Sequence, residues 1–209
     1  MSSVGGVPTD QEITQHHESQ PPPGEDPWIV APTPYRIEVL EYDDRWPADF
    51  ELVAGRIAEA LGDAVLELHH VGSTSVPGLA AKPIIDVDLV VADPADEAAY
   101  VPALESAGFV HIVREPWWHE HRLLKGDDPS TNLHVFGPGC PEVVRHRMFR
   151  QWLVDHPEER ELYAATKRAA AAEVNARDGG GTGMDYNLVK EPVARQIYDR
   201  MFRAQGLLP

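Results

Sequence analysis

His69-His-Val-Gly-Ser-Thr-Ser-Val-Pro-Gly-Leu-Ala-Ala-Lys-Pro-Ile-Ile-Asp-Val-Asp-Leu-Val90 decides the architecture. Ala64 to Val71 alternates as a strand, Gly72 to Lys82 is a loop rich in Gly, Ser and Pro, and Ile84 to Val91 reads as a second strand. Residues two apart on a strand share a face, so Asp86 and Asp88 stand together while Ile85, Val87 and Leu89 point into the core. Paired carboxylates repel, and Asp is disfavoured inside strands. A divalent ion such as Mg²⁺, which takes oxygen ligands and keeps waters for substrate phosphates, would resolve the conflict. On spacing alone, a solvent-exposed face on an edge strand resolves it equally well. The loop adds weight to the first reading. Gly72 permits close backbone approach to a ligand, Ser73, Thr74 and Ser75 offer hydroxyls and backbone donors to phosphate oxygens, and Lys82 supplies a positive charge.

Outward from this stretch the body alternates helices and strands. Arg36 to Leu40 reads as a short strand. Trp46 to Leu61 places Phe50, Val53, Ile57 and Leu61 on one helical face, with Gly62 at its end. Asp93-Pro94 opens a helical stretch to Ala107, kinked at Pro102. Three strand-like segments follow at Phe109–Arg114, His121–Lys125 and Asn132–Phe136. Pro141 and Pro157 each open a helix, Gly179 to Gly183 is a flexible linker, and a last helix covers roughly Asp185 to Ala204. Pro192 leaves the start of that last helix open. The pattern predicts a mostly antiparallel or mixed sheet with helices on one side and an appended helical part.

Composition narrows the function. The chain has 209 residues and a formal charge of −16, which argues against a general DNA or RNA binder, because phosphate backbones need a basic surface. A small anion in a local basic pocket remains compatible. Cys140 is the lone cysteine, which suits a reducing cytoplasm. No apolar run approaches the ~20 residues of a membrane span, and no Lys or Arg precedes Arg36 to start a secretory signal. Residues 1–34 are acidic and proline-rich. Met1 to about Trp28 is expected to be a disordered tail, His16-His17 included, and residues 35–209 form the domain.

Val71-Gly-Ser-Thr-Ser-Val-Pro-Gly-Leu-Ala-Ala-Lys-Pro-Ile-Ile-Asp86, with Asn132-Leu-His-Val135 and the segment Tyr186 to Lys190, resembles the GrpB family. Gly-Ser, a dozen residues and then Asp-x-Asp is also the signature of the nucleotidyltransferase superfamily, whose fold the family shares. The resemblance covers about Tyr35 to Phe202. It implies an α/β (α+β) nucleotidyltransferase-like mixed sheet flanked by helices, with a C-terminal helical part. It also implies that Gly72 and Ser73 contact nucleotide phosphates while Asp86 and Asp88 bind Mg²⁺ or Mn²⁺. Many active relatives carry a third carboxylate on a later strand. Here His134 occupies that unit, as a general base near neutrality, as a ligand for Mn²⁺ or Zn²⁺, or as a structural strand histidine.

Arg122, Lys125 and Lys190 are further candidates for neutralising triphosphate charge, each matched by a reading as a plain surface charge. Trp117-Trp118-His119-Glu120-His121 could form a stacking wall or a metal cluster, but reads best as a loop packing aromatics onto the sheet, since His119 and His121 lack the partners of a zinc site. The expected reaction is metal-assisted transfer of a nucleotidyl group from a nucleoside triphosphate to a small acceptor. The alternatives are a non-catalytic domain that binds nucleotide or a protein partner, as in the related domains fused to dephospho-coenzyme A kinase, and a metal-dependent phosphohydrolase.

Overall fold

The computed structural model describes residues 6–16 and 21–209. Five strands form one sheet: β1 (Glu67–Val71), β2 (Ile85–Val90), β3 (Phe109–Glu115), β4 (His121–Asp127) and β5 (Ser130–Phe136), in the order β1-β2-β5-β4-β3. Only β2 and β5 run parallel; the other neighbours are antiparallel. The sheet is therefore mixed, as the sequence predicts. Its register sets Asp86 beside Asn132 and Asp88 beside His134.

One face carries Val87, Leu89, Leu124, Leu133 and Val135 into a core closed by α2 (Trp46–Leu61) and α3 (Val101–Ser106). The predicted amphipathic stripe does this: Val53 and Ile57 are fully buried. The other face carries Asp86, Asp88, Asn132 and His134, and three helices stand beside it. These are α4 (Pro141–Asp155), α5 (Pro157–Asn175) and α6 (Gly183–Ala204), with Pro at the first turn of α4 and α5 as the sequence predicts. A capping box between Thr182 and Asp185 fixes the start of α6, and the helix continues past Pro192.

Three expectations change. Arg36–Leu40 forms no strand, because the Asn175 side chain takes both backbone groups of Ile37, each at 2.8 Å. Pro102 does not kink a long helix. It sits in the first turn of α3, where its missing N–H costs nothing. The third concerns the expected tail. Within it, α1 (Asp10–Thr14) is a capped helical turn whose Ile13 is 8% exposed against Met201 and Phe202. Arg145 donates to the carbonyl of Ile13 at 2.9 Å. Average composition conceals this single apolar anchor. His16 meets Asp199 at 3.2 Å, whereas His17 lies outside the described residues. Residues 27–30 lie along the edge of β3: Arg114 N–H donates to the Pro27 carbonyl (2.8 Å) and Ile29 N–H to that of Ile112 (3.0 Å).

Candidate functional site

Gly72 ends β1 with φ +65°, and a Cβ there would meet Asp86 Oδ2 at 2.3 Å. Only glycine lets the backbone pass this close to the carboxylate. Asn132 donates to Asp86 Oδ1 at 2.8 Å, so β1, β2 and β5 converge on that group. Ser73 borders the same cavity. Thr74 and Ser75 do not serve as phosphate donors: both are buried, Thr74 Oγ donating to the Ile84 carbonyl (3.2 Å) and Ser75 Oγ to that of Gly72 (2.7 Å). They peg the loop in place.

Asp88 is fully buried, and His146 of α4 donates Nδ1–H to it at 2.9 Å. The Asp88 charge beside it holds the imidazole up at about 9, against the opposing effect of burial. The compensating cation for the acidic pair is thus a histidinium. Among the described residues no three His, Cys, Asp or Glu side chains come together as a metal site. The expected set of Asp86, Asp88 and His134 does not fit Mg²⁺ or Mn²⁺ in this arrangement, because Asp88 is fully buried and His146 engages its carboxylate; the His121 contact leaves one nitrogen of His134 open and is no obstacle.

His121 Nε2 lies 3.0 Å from His134 Nδ1, and its other nitrogen lies 2.7 Å from Glu115 Oε2. With Glu115 ionised, His121 donates to the carboxylate and accepts from His134, leaving His134 Nε2 as a bare acceptor. Burial pushes His134 down to about 4, so it is neutral at physiological pH. A loss of base function near pH 6.5, its unperturbed value, is not expected in this setting.

The remaining wall is basic and comes from the loop before β2 and from α4, α5 and α6. Lys82, Arg150, Lys167 and Lys190 border a cavity of about 390 Å³ together with Gly72, Ser73 and Asp86. Lys167 is 2% exposed, and its Nζ has no hydrogen-bond partner. It lies 4.8 Å from the centroid of the Tyr163 ring. Burial, reinforced by Lys190, pushes its ammonium down to about 6. Lys190 donates to Tyr163 OH at 3.2 Å, and Lys82 lies over the Tyr186 ring. Lys125 borders an adjoining cavity of about 660 Å³. Arg122 is a correction: it sits on the opposite face of β4, paired with Val135 and bonded to Glu97, so it does not reach the site.

Sequence reasoning missed His146, Arg150 and Lys167. Their signal was a spacing of four, His146 with Arg150 and Tyr163 with Lys167, the spacing that sets two side chains on one helical face.

The family model for "GrpB protein" matches residues 36–200. The chain belongs to the GrpB family. Similar sequences include a UPF0157 protein of Halalkalibacterium halodurans, 53% identical over 135 residues covering 65% of this chain and 69% of that one. A UPF0157 protein of Streptomyces coelicolor is 40% identical over 141 residues, 68% and 74% of the two chains. A dephospho-CoA kinase of Mycolicibacterium paratuberculosis is 30% identical over 198 residues, which cover 82% of this chain but 47% of the kinase. The crystal structure of conserved protein GrpB from Enterococcus faecalis superposes with a TM-score of 0.66 at 25% identity, covering 80% of this chain and 99% of that one. The described part of this GrpB chain has no helix long and apolar enough to cross a membrane.

Proposed function

We propose that the basic cavity binds the phosphate groups of a nucleotide. The observation that carries this reading is Lys167: a buried amine without a hydrogen-bond partner, beside Lys190, Lys82 and Arg150, in a chain of net charge −16. Burying a lysine among other cations is costly. A polyphosphate offsets that cost by giving each of them an anionic acceptor. Gly72 and Ser73 border the same space, where backbone can approach the phosphates. The similarity to a dephospho-CoA kinase agrees with a phosphate-bearing ligand.

Nucleotidyl transfer to a small acceptor is the second reading, favoured by the contact between Gly72 and Asp86. Mg²⁺ or Mn²⁺ enters it only if His146 releases Asp88. Calorimetry on the full chain tests both readings, using inorganic pyrophosphate and each nucleoside triphosphate with EDTA, Mg²⁺ or Mn²⁺. The phosphate reading expects pyrophosphate to bind without metal and Lys167→Met to weaken it at least tenfold, about 1.4 kcal/mol. Absence of binding to the wild type, or undiminished binding to the variant, would sink it. The transfer reading expects metal to strengthen triphosphate binding and His146→Gln to enhance that effect.

A further inference from the structure

The lysine cavity occupies only one end of the cleft. The larger cavity of about 660 Å³ adjoins it, and the two share Lys82, Asn132, His134, His146, Asn187 and Tyr198 as walls. A single ligand can therefore extend from one into the other. The far end differs in chemistry. Its lining includes the apolar and aromatic group Trp28, Val30, Ala31, Ile112, Val113 and Trp117, with Glu115 and Lys125 on the same cavity.

Half of that apolar and aromatic group comes from outside the family-matched body. Residues 27–35 precede the matched stretch 36–200 and run across the cleft as a strap fixed at both ends. One end lies on β3, through Arg114 to Pro27 (2.8 Å) and Ile29 to Ile112 (3.0 Å). The other lies on the loop before α6, where Tyr35 N–H donates to the Gly181 carbonyl at 3.0 Å. Pro27, Pro32 and Pro34 hold the strap extended and restrict its conformations before any ligand arrives. Edge protection of β3 explains the first anchor. It does not explain the second anchor, or why Val30, Ala31 and Pro32 border the cavity.

Resting on the phosphate reading above, we propose that the strap and β3 form a second subsite that receives the flat, uncharged part of the ligand, a heteroaromatic ring of the nucleobase class. Trp28 and Trp117 supply aromatic surface there, and aromatic surface accepts a planar ring by stacking, a contact worth about 1–3 kcal/mol per base. The phosphates then lie among Lys82, Lys167 and Lys190, and the ligand passes His134 between the two ends. Because the strap lies outside the family-matched residues, Trp28 and its side of the subsite are additions of this chain, while Trp117 and β3 belong to the matched GrpB body.

The test compares inorganic tripolyphosphate with ATP, GTP, CTP and UTP by calorimetry in EDTA, on the full chain. The expected result is that at least one nucleotide binds about tenfold or more tighter than tripolyphosphate, as one stacked base supplies. Trp28→Ala and Ala31→Trp should each erase that preference while leaving tripolyphosphate affinity unchanged. Ala31→Trp fills the chamber from an exposed strap position and so serves if Trp28→Ala disturbs the strap. If tripolyphosphate binds but no nucleotide binds tighter, or if both variants keep the preference, the strap subsite is wrong and the phosphate reading stands. If tripolyphosphate does not bind, or binds Lys167→Met as it binds the wild type, the phosphate reading fails and the subsite fails with it.

Discussion

At Gly72 a single hydrogen in place of a side chain holds the site open. A methyl group would sit 2.3 Å from Asp86 Oδ2 at a φ of +65°, so both contact and backbone oppose it. Gly72→Ala is expected to destabilise by roughly 1–3 kcal/mol, measured by urea unfolding, and to weaken pyrophosphate binding through the displaced carboxylate. Unchanged stability would mean that the loop moves freely. Lys167 behaves in the opposite sense. Its amine titrates near 6 in the fold against 10.5 free, so at pH 7 the unfolded chain takes up a proton that the native state does not. Lys167→Met should therefore raise stability by about 1 kcal/mol or more while losing the phosphate ligand, the trade expected of a functional group. These two residues also mark what sequence makes legible. Gly72 and Asp86 lie within one local motif. Lys167 and His146 reach the same cavity from helices 60–80 residues further on, and nothing local announces their convergence. Thr74, Ser75 and Arg122 fit the expected chemistry by type, but the turn and the strand alternation point them elsewhere.

The elements were legible wherever their periodicity was long. The 16 residues of α2 (Trp46–Leu61) and the alternation of β2 and β5 settle the sheet and its apolar layer. Short or irregular segments were not legible, because side-chain partners decide them: Asn175 captures Ile37, and Arg145 with Met201 and Phe202 captures α1. That docking has a measurable consequence. Burying Ile13 is worth about 1.5–3 kcal/mol, and the Arg145 bond to its carbonyl adds a charge-assisted contact. Removing residues 1–16 should lower the melting temperature by several degrees in a domain of this size. Ile13→Ser should reproduce much of the drop. An unchanged melting curve for both would mean that α1 contributes no stability in solution.

Across the whole molecule, the His146–Asp88 pair joins α4 to the centre of the sheet, and its titration should appear in global stability. The folded value near 9 lies above the free imidazole value of 6.5. This contribution is therefore complete below pH 6.5 and is lost as pH rises through 9, at up to about 1.4 kcal/mol per pH unit. Lys167 works against it in the same window. Its folded value near 6 lies below its free value of 10.5, so stability from that group rises with pH by a similar slope. The wild type should then show a nearly flat melting temperature between pH 6.5 and 9, the two slopes offsetting each other. Lys167→Met removes the rising term, and its melting temperature should fall across that interval. Lys167→Met combined with His146→Gln should be flat again, at lower stability, since Asp88 then keeps a hydrogen bond but no cation. A flat profile in the single Lys167→Met variant would show that His146 is not held charged by Asp88. The compensation of the acidic pair would then have to come from another group.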